Sequence, residues 1–327
     1  MSFHVSLLIP CYNAERWVGE AIRSAVGQTY GDKEVIVVDD GSTDGSLGVI
    51  KSFGDQIRWE SGPNRGGNAA RNRLLELATG DWLQYLDADD YLEPHKVAGQ
   101  VEALAGLPEA DVVYGPVKQE FWSGGVATHR RTLAIKGPHD PWVLLARWFL
   151  PQTGSPLWRR QAIVDVGGWK MDQPCCQEHE LYLRLLKAGK RFHYTDAGGA
   201  IYRQWSDQTV CTKNVPEVHR RRMAITDAAE THLNETSVMT AERQYAINMG
   251  RFETARSAWQ YDRSYARQLV QKIWETDRGF VPTGPAAPKS YQLMLRALGF
   301  PLTEAIAGWR RSFMGQGGEA RLTAGAS

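Results

Sequence analysis

Short, predominantly apolar runs alternate with helical patterns at the start of the chain. Val5–Pro10 and Glu34–Val38 predict buried strands. Between them, Trp17–Ala25 places apolar residues on one helical face, and Asn13 is the predicted N-cap of that helix. A strand buried on both faces is typical of a parallel sheet, and a β-α-β connection in such a sheet is right-handed. The pattern therefore predicts an α/β fold.

The alternation continues along the next part of the chain, where each helical pattern follows a strand. The predicted elements, in order, are a strand at Ile57–Glu60, a helix around Ala69–Ala78 with Gly80 as its C′ residue, a strand leading into Asp87, a helix after Pro94 and a strand at Asp111–Tyr114. Repeated alternation of this kind indicates a doubly wound sheet. We expect a mostly parallel central sheet flanked by helices.

The pattern becomes less regular in the middle of the chain. Val117–Pro141 loses hydrophobic periodicity, so we expect an irregular binding loop there. The segments that follow are a predicted helix at Trp142–Leu150, a strand at Ser155–Arg159, a helix at Glu178–Lys187 and edge strands at Arg191–Tyr194 and Ala200–Trp205.

Beyond Val215 the sequence predicts helices without intervening strands. Tyr245–Trp259 and Tyr265–Trp274 predict an antiparallel helical pair, and Arg251–Arg256 resembles the turn of a helical-repeat hairpin. The predicted organisation is an α/β domain at residues 1–215, a helical hairpin region at 216–280, a linker at 281–289, C-terminal helices at 290–314 and a disordered tail at 315–327.

Composition narrows the class of protein without changing this organisation. Hydrophobic residues make up 43% of the 327 residues, as in ordinary globular proteins. The 38 Lys and Arg residues nearly balance the 37 Asp and Glu residues, so no overall electrostatic field indicates nucleic acid as a partner. The four cysteines form neither a CxxC pair nor a dense disulfide pattern, which favours a reducing compartment.

The sequence carries no signal of membrane insertion. The first residues lack a basic region, and the apolar core Val5–Ile9 is too short for a signal peptide. No apolar run in the sequence reaches the length that spans a bilayer, so we expect a cytoplasmic protein. The segment Tyr291–Phe313 combines apolar residues with Arg296 and Arg310. It is either a peripheral membrane anchor or a helix that packs against the α/β domain.

Carboxylates follow two of the predicted strands. Asp39 and Asp40 end one strand, and Asp87, Asp89 and Asp90 follow another. Alone, such a cluster is more often an acidic surface turn, but ligands of open parallel sheets bind outside the carboxyl ends of the strands. Two acidic groups at that edge would repel each other unless they shared a cation. A hard divalent ion that bridges to phosphate oxygens fits this pattern.

Two other kinds of phosphate site are excluded by the segment after the first strand. A dinucleotide-binding domain needs G-x-G-x-x-G there, and Ile9–Asn13 contains no glycine. A Walker loop is also missing, because no GxxxxGK occurs in the sequence. We therefore expect carboxylates and a metal ion to hold the phosphates.

Three ordered segments resemble glycosyltransferase family 2, whose members are inverting enzymes with the GT-A fold. These segments are Val5–Ser46, Asn64–Asp90 and Gly167–Gly189. Three motifs in the correct order over roughly the first 210 residues are more specific than any single motif. The resemblance implies a GT-A fold with a Rossmann-like sheet. It also implies a nucleotide-sugar donor, with a UDP-sugar as the first expectation.

The resemblance assigns the nucleotide to residues near the first two strands. Pro10, Tyr12 and Asp40 match the family's pocket for the nucleotide base, with Asp40 accepting a hydrogen bond from the base ring. Arg71 lies in the family's Ala-Arg-Asn segment, and its contact with the donor is left open.

The resemblance assigns the diphosphate and the metal to the acidic cluster. Asp87 and Asp89 match the part of the family's DxD region that binds the donor, and Asp89 and Asp90 the part that binds Mn²⁺ or Mg²⁺. Many relatives also carry an Arg-x-His segment that assists the diphosphate, and here it is Arg203 and Trp205 that occupy those positions. Because tryptophan does not bind metal, the expected contribution falls to Arg203.

Inversion needs one base that deprotonates the acceptor hydroxyl. The family supplies it from a Glu-Asp pair at the start of a helix, and Gln177-Glu178 occupies that place here. We predict Glu178 as the base, against the alternative that it only stabilises the helix dipole. Its position near a helix N-terminus is expected to make it a weaker base than an isolated glutamate.

The resemblance implies transfer to a sugar or lipid-linked hydroxyl in polysaccharide, lipopolysaccharide or glycolipid synthesis. Two alternatives remain: an impaired nucleotide-binding or interaction protein on the same fold, and a nucleotidyltransferase. The second would need a glycine-rich basic loop after the first strand, which the sequence lacks. Trp158, Trp169 and Trp205 are either sugar platforms of the acceptor cleft or core residues.

Overall fold

A computed structural model describes residues 3–135, 137, 139–206 and 213–314 of the chain, with side chains as far as residue 310. The chain divides into two compact units. The α/β unit contains the chain up to Pro141 together with Leu150–Lys213. The helical unit contains Trp142–Phe149 and the chain from Asn214 onward.

The centre of the α/β unit is a mostly parallel sheet, as predicted. Among the described residues, its seven strands lie in the order β10-β6-β9-β4-β1-β2-β3. Only β9 runs antiparallel to its neighbours in this part of the chain. The strands are β1 Val5–Cys11, β2 Lys33–Asp39, β3 Arg58–Ser61, β4 Trp82–Tyr85, β6 Val112–Tyr114, β9 Leu157–Arg159 and β10 Phe192–Tyr194.

Helices cover this sheet. Leu7 and Ile9 of β1 pack in one core cluster with Ile22, and the intervening Leu8, which points to the other face, is equally buried. Burial on both faces explains the continuous apolar runs of the sequence. The helices of this unit are α1 Val18–Val26, α2 Ser46–Lys51, α3 Gly67–Leu77, α4 Lys96–Leu104, α6 Arg160–Asp165 and α7 Gln177–Lys187, and α5 spans Pro141–Ala146.

A second sheet corrects the prediction for Val117–Pro141. Residues 117–133 form a hairpin rather than an irregular loop, with Gly124 and Gly125 at positive φ in its turn. The strands of this sheet are β5 Tyr91–Leu92, β7 Val117–Ser123, β8 Val126–Leu133 and β11 Ala200–Gln204, in the order β5-β11-β7-β8. The prediction of β11 as an edge strand is therefore wrong, whereas β10 does lie at the edge of the seven-stranded sheet.

Two predicted helix signals have other roles. Asn13 is not an N-cap, because α1 begins at Val18; its side-chain oxygen instead accepts a hydrogen bond from the Thr43 amide at 2.7 Å. Gly80 is not a C′ residue, since α3 ends at Leu77 and the chain is already extended at Ala78. A Cβ at position 80 would lie 2.6 Å from the Ser6 amide nitrogen, so glycine is needed there for close approach of two backbones.

The helical unit is built around its own apolar core. Its buried members include Met249, Phe252, Ile273 and Phe300. The helices are α8 Val215–Glu235, α9 Ala241–Ala258, α10 Arg263–Thr276 and α11 Lys289–Met314, the last with non-helical backbone at Gly299. In the part of the chain that the structure describes, no helix is both long and apolar enough to cross a membrane. The predicted tail at residues 315–327 lies outside the described residues.

The segment Arg251–Arg256 lies inside α9, so its interpretation as a hairpin turn is wrong. Its charged side chains bind neighbouring helices. Arg251 is buried and bonded to Asp227 and Glu230 of α8, and Arg256 pairs with the fully buried Glu304 of α11 at 2.5 Å. The charges that suggested an exposed turn are therefore interhelical contacts.

A buried lysine gives the α/β unit a predicted pH dependence. Lys96 of α4 is buried and donates to Gln84 of β4, and burial lowers its pKa well below the ordinary value. The unfolded chain binds a proton at this lysine that the folded chain lacks. The free energy of unfolding therefore increases as the pH rises toward about 10.4, the ordinary pKa of lysine. We expect the free energy of unfolding of the wild type to rise relative to that of Lys96→Met between about pH 7 and pH 10. Urea denaturation across this range measures the difference, and parallel curves would contradict the prediction.

Candidate functional site

The candidate site lies at the carboxyl ends of three neighbouring parallel strands. β1 pairs with β2 on one side and with β4 on the other, with Cys11 opposite Asp39 and Leu8 opposite Tyr85. Residues that follow these strands therefore meet at one edge of the sheet, as the acidic clusters predicted. The side chains at this edge include Tyr12 after β1, Asp40 after β2 and Asp87, Asp89 and Asp90 after β4.

Asp40 organises the loop that leads into α3. Its side chain is buried, and its two oxygens accept hydrogen bonds from the amides of Arg65 at 2.9 Å and Gly66 at 2.8 Å. Gly66 has φ 93°, which favours glycine. Each carboxylate oxygen keeps a second lone pair, so Asp40 can still accept a hydrogen bond from a ligand.

The loops after β1 and β2 are joined to each other by hydrogen bonds. The Asn13 amide donates to the Ser42 hydroxyl at 2.9 Å, in addition to the bond from Thr43 to the Asn13 side chain. Pro10 is partly buried at the end of β1, while Tyr12 is about half exposed. This arrangement leaves the Tyr12 ring available for contact with a planar ligand.

Arg71 joins the end of β4 to the start of α7. Its guanidinium is almost fully buried and donates to Asp87 and to the side chain of Gln177, each at 2.8 Å. It also lies 5.0 Å from the ring centre of Trp169. The bidentate reach of arginine thus fixes Asp87 relative to the first turn of α7. Sequence reasoning missed this role of Gln177, although its position directly before Glu178 was the available signal.

Glu178 is the second residue of α7 and lies within the electrostatic reach of Arg71 and Asp87. Burial raises the pKa of its carboxyl above the ordinary value; Arg71 acts against this shift and Asp87 adds to it. The expectation that the helix N-terminus would make Glu178 a weaker base is therefore wrong, because burial raises its pKa by more than the hydrogen bond from its own backbone amide lowers it. A raised pKa makes the ionised carboxylate a stronger proton acceptor.

Asp89 and Asp90 form a charged turn that lacks a full set of partners. Burial, and then the charge of Asp87, raises the pKa of Asp89. Burial, together with the charges of Asp89 and Asp87, raises the pKa of Asp90 well above the ordinary value. One Asp90 oxygen accepts from the Arg203 amide at 2.8 Å, and the other is buried without a hydrogen bond within the described chain.

These features fit a divalent cation, which would offset the crowded charges and engage the buried oxygen. No group of three or more His, Cys, Asp and Glu side chains within the described ranges is arranged to hold a metal. Magnesium, however, is commonly bound through one or two carboxylates together with phosphate oxygens of a substrate. Asp89 and Asp90 are the residues of this site that fit such a shared arrangement.

Arg203 is hydrogen-bonded to the acidic turn formed by Asp89 and Asp90. Its side chain is 1% exposed, and its guanidinium donates to the main-chain oxygen of Asp89 at 3.1 Å and pairs with Glu20 and Glu120. The aromatic rings of Trp17 and Tyr91 lie 4.7 and 4.4 Å from it. The structure thus places Arg203 beside the predicted site, where other side chains of the protein surround its guanidinium. Its direct contact with a donor stays a prediction.

The three tryptophans considered as sugar platforms separate into two groups. Trp158 and Trp169 are buried and pack edge to face with each other, so the core alternative holds for both. Trp205 is 45% exposed, and its indole nitrogen donates to an Asp89 carboxylate oxygen at 2.9 Å. Of these three residues, Trp205 is the one that the structure places at the site.

Residues 6–165 match the family model described as glycosyl transferase family 2. Among curated relatives, an uncharacterized glycosyltransferase of Rickettsia conorii is 40% identical over 114 residues, which cover 34% of this chain and 19% of the relative. A chondroitin synthase of Pasteurella multocida is 43% identical over 96 residues, which cover 28% of this chain and 10% of the relative. The match thus spans only a small part of each relative's length.

Solved structures show the same fold over most of the chain. TarS of S. aureus, solved in complex with UDP-GlcNAc, aligns with a TM-score of 0.59 at 15% identity, covering 97% of this chain and 93% of the TarS chain. The complex of TarS with UDP aligns with the same TM-score at 14% identity. This likeness establishes the GT-A fold that the sequence predicted.

The bridge made by Arg71 predicts an effect on stability. Arg71→Met leaves Asp87 and Gln177 without their shared donor, so we expect the free energy of unfolding to fall by about 1–3 kcal/mol. The matched control is Arg73→Met in the same helix, because Arg73 pairs with Glu60 and Glu76 but is 47% exposed. Because solvent screens its ion pairs, we expect Arg73→Met to reduce the free energy of unfolding by less than Arg71→Met does. Urea denaturation of both variants measures the two losses, and equal losses would contradict the bridge.

Proposed function

We propose that this chain, whose residues 6–165 match the glycosyl transferase family 2 model, transfers a sugar from a nucleotide-sugar donor to a hydroxyl acceptor. The observation that carries the proposal is the bridge from Asp87 through Arg71 to Gln177. It brings the acidic strand end and Glu178 to one site. A carboxylate cluster for a diphosphate and a separate base are the two parts that such a transfer needs.

In this proposal the donor nucleotide lies over the ends of β1 and β2. The base packs against Pro10 and Tyr12, and a ring N–H of the base donates to the free lone pair of Asp40. The UDP and UDP-GlcNAc complexes of TarS, which shares the fold, support a UDP-sugar as the first donor to test.

The diphosphate lies at the acidic turn. Asp87 and Asp89 hold the ribose and diphosphate end of the donor, and Asp89 and Asp90 would hold Mn²⁺ or Mg²⁺. When bound, such an ion offsets the negative charge that develops on the departing nucleoside diphosphate. Arg203 keeps the turn in position through the Asp89 main-chain oxygen and the Asp90 carboxylate.

Glu178 is the proposed base of an inverting single displacement. The acceptor oxygen forms a bond to the anomeric carbon as the bond from that carbon to the diphosphate breaks, and the hydroxyl proton passes to the Glu178 carboxylate. The raised pKa of this group supports the role. The acceptor is proposed to be a sugar or lipid-linked hydroxyl in polysaccharide, lipopolysaccharide or glycolipid assembly.

A second candidate is a nucleotide-binding protein with impaired catalysis. The observation that favours it is Gln177-Glu178 in place of the family's Glu-Asp pair. Glutamate is one methylene longer than aspartate, and position is critical for a base.

Peripheral membrane contact through α11 also stays a prediction; Leu293, Leu298 and Leu302 of that helix are exposed.

Glu178→Gln separates the two candidates. If Glu178 is the base, the variant should lose transfer by about 10²–10⁴-fold, because the amide cannot accept the proton, while the Kd for the donor stays near the wild-type value. The raised pKa also places the acid limb of wild-type kcat/KM at a higher pH than the ordinary carboxylate value of about 4.3. Transfer assays with a panel of nucleotide sugars and Mn²⁺ measure both. A variant that retains wild-type turnover would rule out Glu178.

Asp89→Asn tests the proposed metal site at Asp89 and Asp90. The substitution keeps the shape of the side chain and removes its charge, so we expect donor binding to lose its dependence on Mn²⁺ or Mg²⁺. Calorimetric titration of UDP with and without Mn²⁺, for wild type and variant, measures this dependence. Asp55→Asn is the control, since Asp55 lies in a short exposed turn before β3. The assignment fails if the variant responds to metal as the wild type does.

A further inference from the structure

One short segment of β11 and the residues after it holds the acidic turn from the opposite side. β11 pairs antiparallel with β5, with Ala200 opposite Leu92 and Ile201 opposite Tyr91. Continuing this register places residues 202 and 203 opposite residues 90 and 89, with Trp205 shortly after them. Three hydrogen bonds then connect the two segments: Arg203 amide to Asp90, Arg203 guanidinium to the Asp89 main-chain oxygen, and Trp205 indole to the Asp89 carboxylate.

The third of these bonds differs from the other two because its donor is open to solvent. Arg203 is 1% exposed, whereas Trp205 is 45% exposed. One side of the Trp205 indole lies by the buried ring of Trp17, with ring centres 5.7 Å apart. Trp205 therefore has a polar edge fixed on Asp89, a neighbouring ring that supports it and a ring surface that faces outward.

The bond to Asp89 has a direct effect on the carboxylate. Trp205 donates to Oδ2 at 2.9 Å, which restricts rotation of the Asp89 side chain and leaves the remaining lone pairs of its carboxylate for a ligand. A hydrogen bond to an ionised acceptor is stronger than one between neutral groups. The indole N–H thus selects one orientation of the residue assigned to the diphosphate and metal.

The exposed ring has a second effect. Trp158 and Trp169 of the same unit are buried. Trp205 instead exposes apolar surface within hydrogen-bond distance of Asp89, where the sugar that is linked to a bound diphosphate would lie. The C–H face of a pyranose is apolar and packs well on such a surface.

We infer that Trp205 positions Asp89 through its indole N–H and forms, with its ring, the wall of the site against which the donor sugar packs. This inference rests on the proposed function. It assigns to Trp205 a role that does not require binding metal. It also predicts that the two parts of the side chain act on different parts of the donor, which allows them to be measured separately.

Two variants separate the parts. Trp205→Phe keeps a ring and removes the N–H, and Trp205→Ala removes both. UDP probes the nucleotide and diphosphate alone, and UDP-GlcNAc adds a sugar; GDP and GDP-mannose form a second pair of probes. Trp59→Phe and Trp59→Ala are the controls, because Trp59 is a partly exposed tryptophan on the edge strand β3 of the same unit.

The expected results follow from the roles. In calorimetric titrations with Mn²⁺, Trp205→Phe should weaken the nucleoside diphosphate and the nucleotide sugar by the same factor, about five- to tenfold, through loss of the charge-assisted bond. Trp205→Ala should weaken binding of the nucleoside diphosphate by the same factor as Trp205→Phe, and should weaken binding of the nucleotide sugar by about a further fivefold. The Trp59 variants should leave both affinities unchanged.

Each result that differs from these expectations contradicts one role inferred for Trp205 or the proposed function. If Trp205→Ala binds both probes as the wild type does, the inference is overturned while the proposed function stands. If Trp205→Phe binds both probes as the wild type does, the N–H does not position Asp89. If Trp205→Phe and Trp205→Ala bind the nucleotide sugar equally, the ring does not pack against the donor sugar. If the wild type binds neither probe pair, the proposed function and the inference built on it both fail.

A measurement without ligand tests the hydrogen bond itself. The indole N–H resonance of Trp205 can be identified in a ¹H–¹⁵N spectrum by its absence from Trp205→Phe. Asp89→Ala should move this resonance upfield, because its acceptor is lost, and leave that of Trp59 in place. A Trp205 resonance that does not respond to Asp89→Ala would overturn the positioning role.

Discussion

The structure of this site depends on one electrostatic constraint: several carboxylates must be desolvated at a single edge of a sheet. Each is held by a different donor. Asp40 accepts hydrogen bonds from two backbone amides, Asp87 accepts one from the Arg71 guanidinium, and Asp90 accepts one from the Arg203 amide. Burying a charge without such partners costs several kcal/mol or more. The loop before α3, the start of α7 and the end of β11 are therefore fixed largely by what the acidic residues require.

The strands of the central sheet could be predicted from the sequence because they are buried on both faces. Val5, Leu7, Leu8 and Ile9 are all fully buried, and a continuous apolar run is the direct record of that burial. The hairpin at residues 117–133 could not be found in the same way. Nearly every residue of β8 is exposed, so the strand shows no alternation of apolar and polar positions.

The positions of the acidic residues and of Glu178 could likewise be predicted, since they follow predicted strands or begin a predicted helix. Their energetics could not. The pKa of Glu178 is raised by burial and is shifted further by the charges of Arg71 and Asp87, which are distant from it in sequence. The same reason hid the contacts of Arg203 and the bond from Trp205 to Asp89. In the helical unit, charges on one face of α9 looked like exposed turn residues and proved to be interhelical contacts.

The pairing of β11 with β5 has a consequence for how the site assembles during folding. The hydrogen bond from Arg203 to Asp90 joins residues 113 positions apart, and it closes on a strand pair in which β5 has two residues. Contacts of such long sequence separation form at a high cost in loop entropy. As the chain emerges during synthesis, the sheet edge and its carboxylates appear before the segment that holds them. The nascent protein thus carries an uncompensated acidic turn until residues near 200 have been made, which makes the closing of this turn a natural late step in its folding.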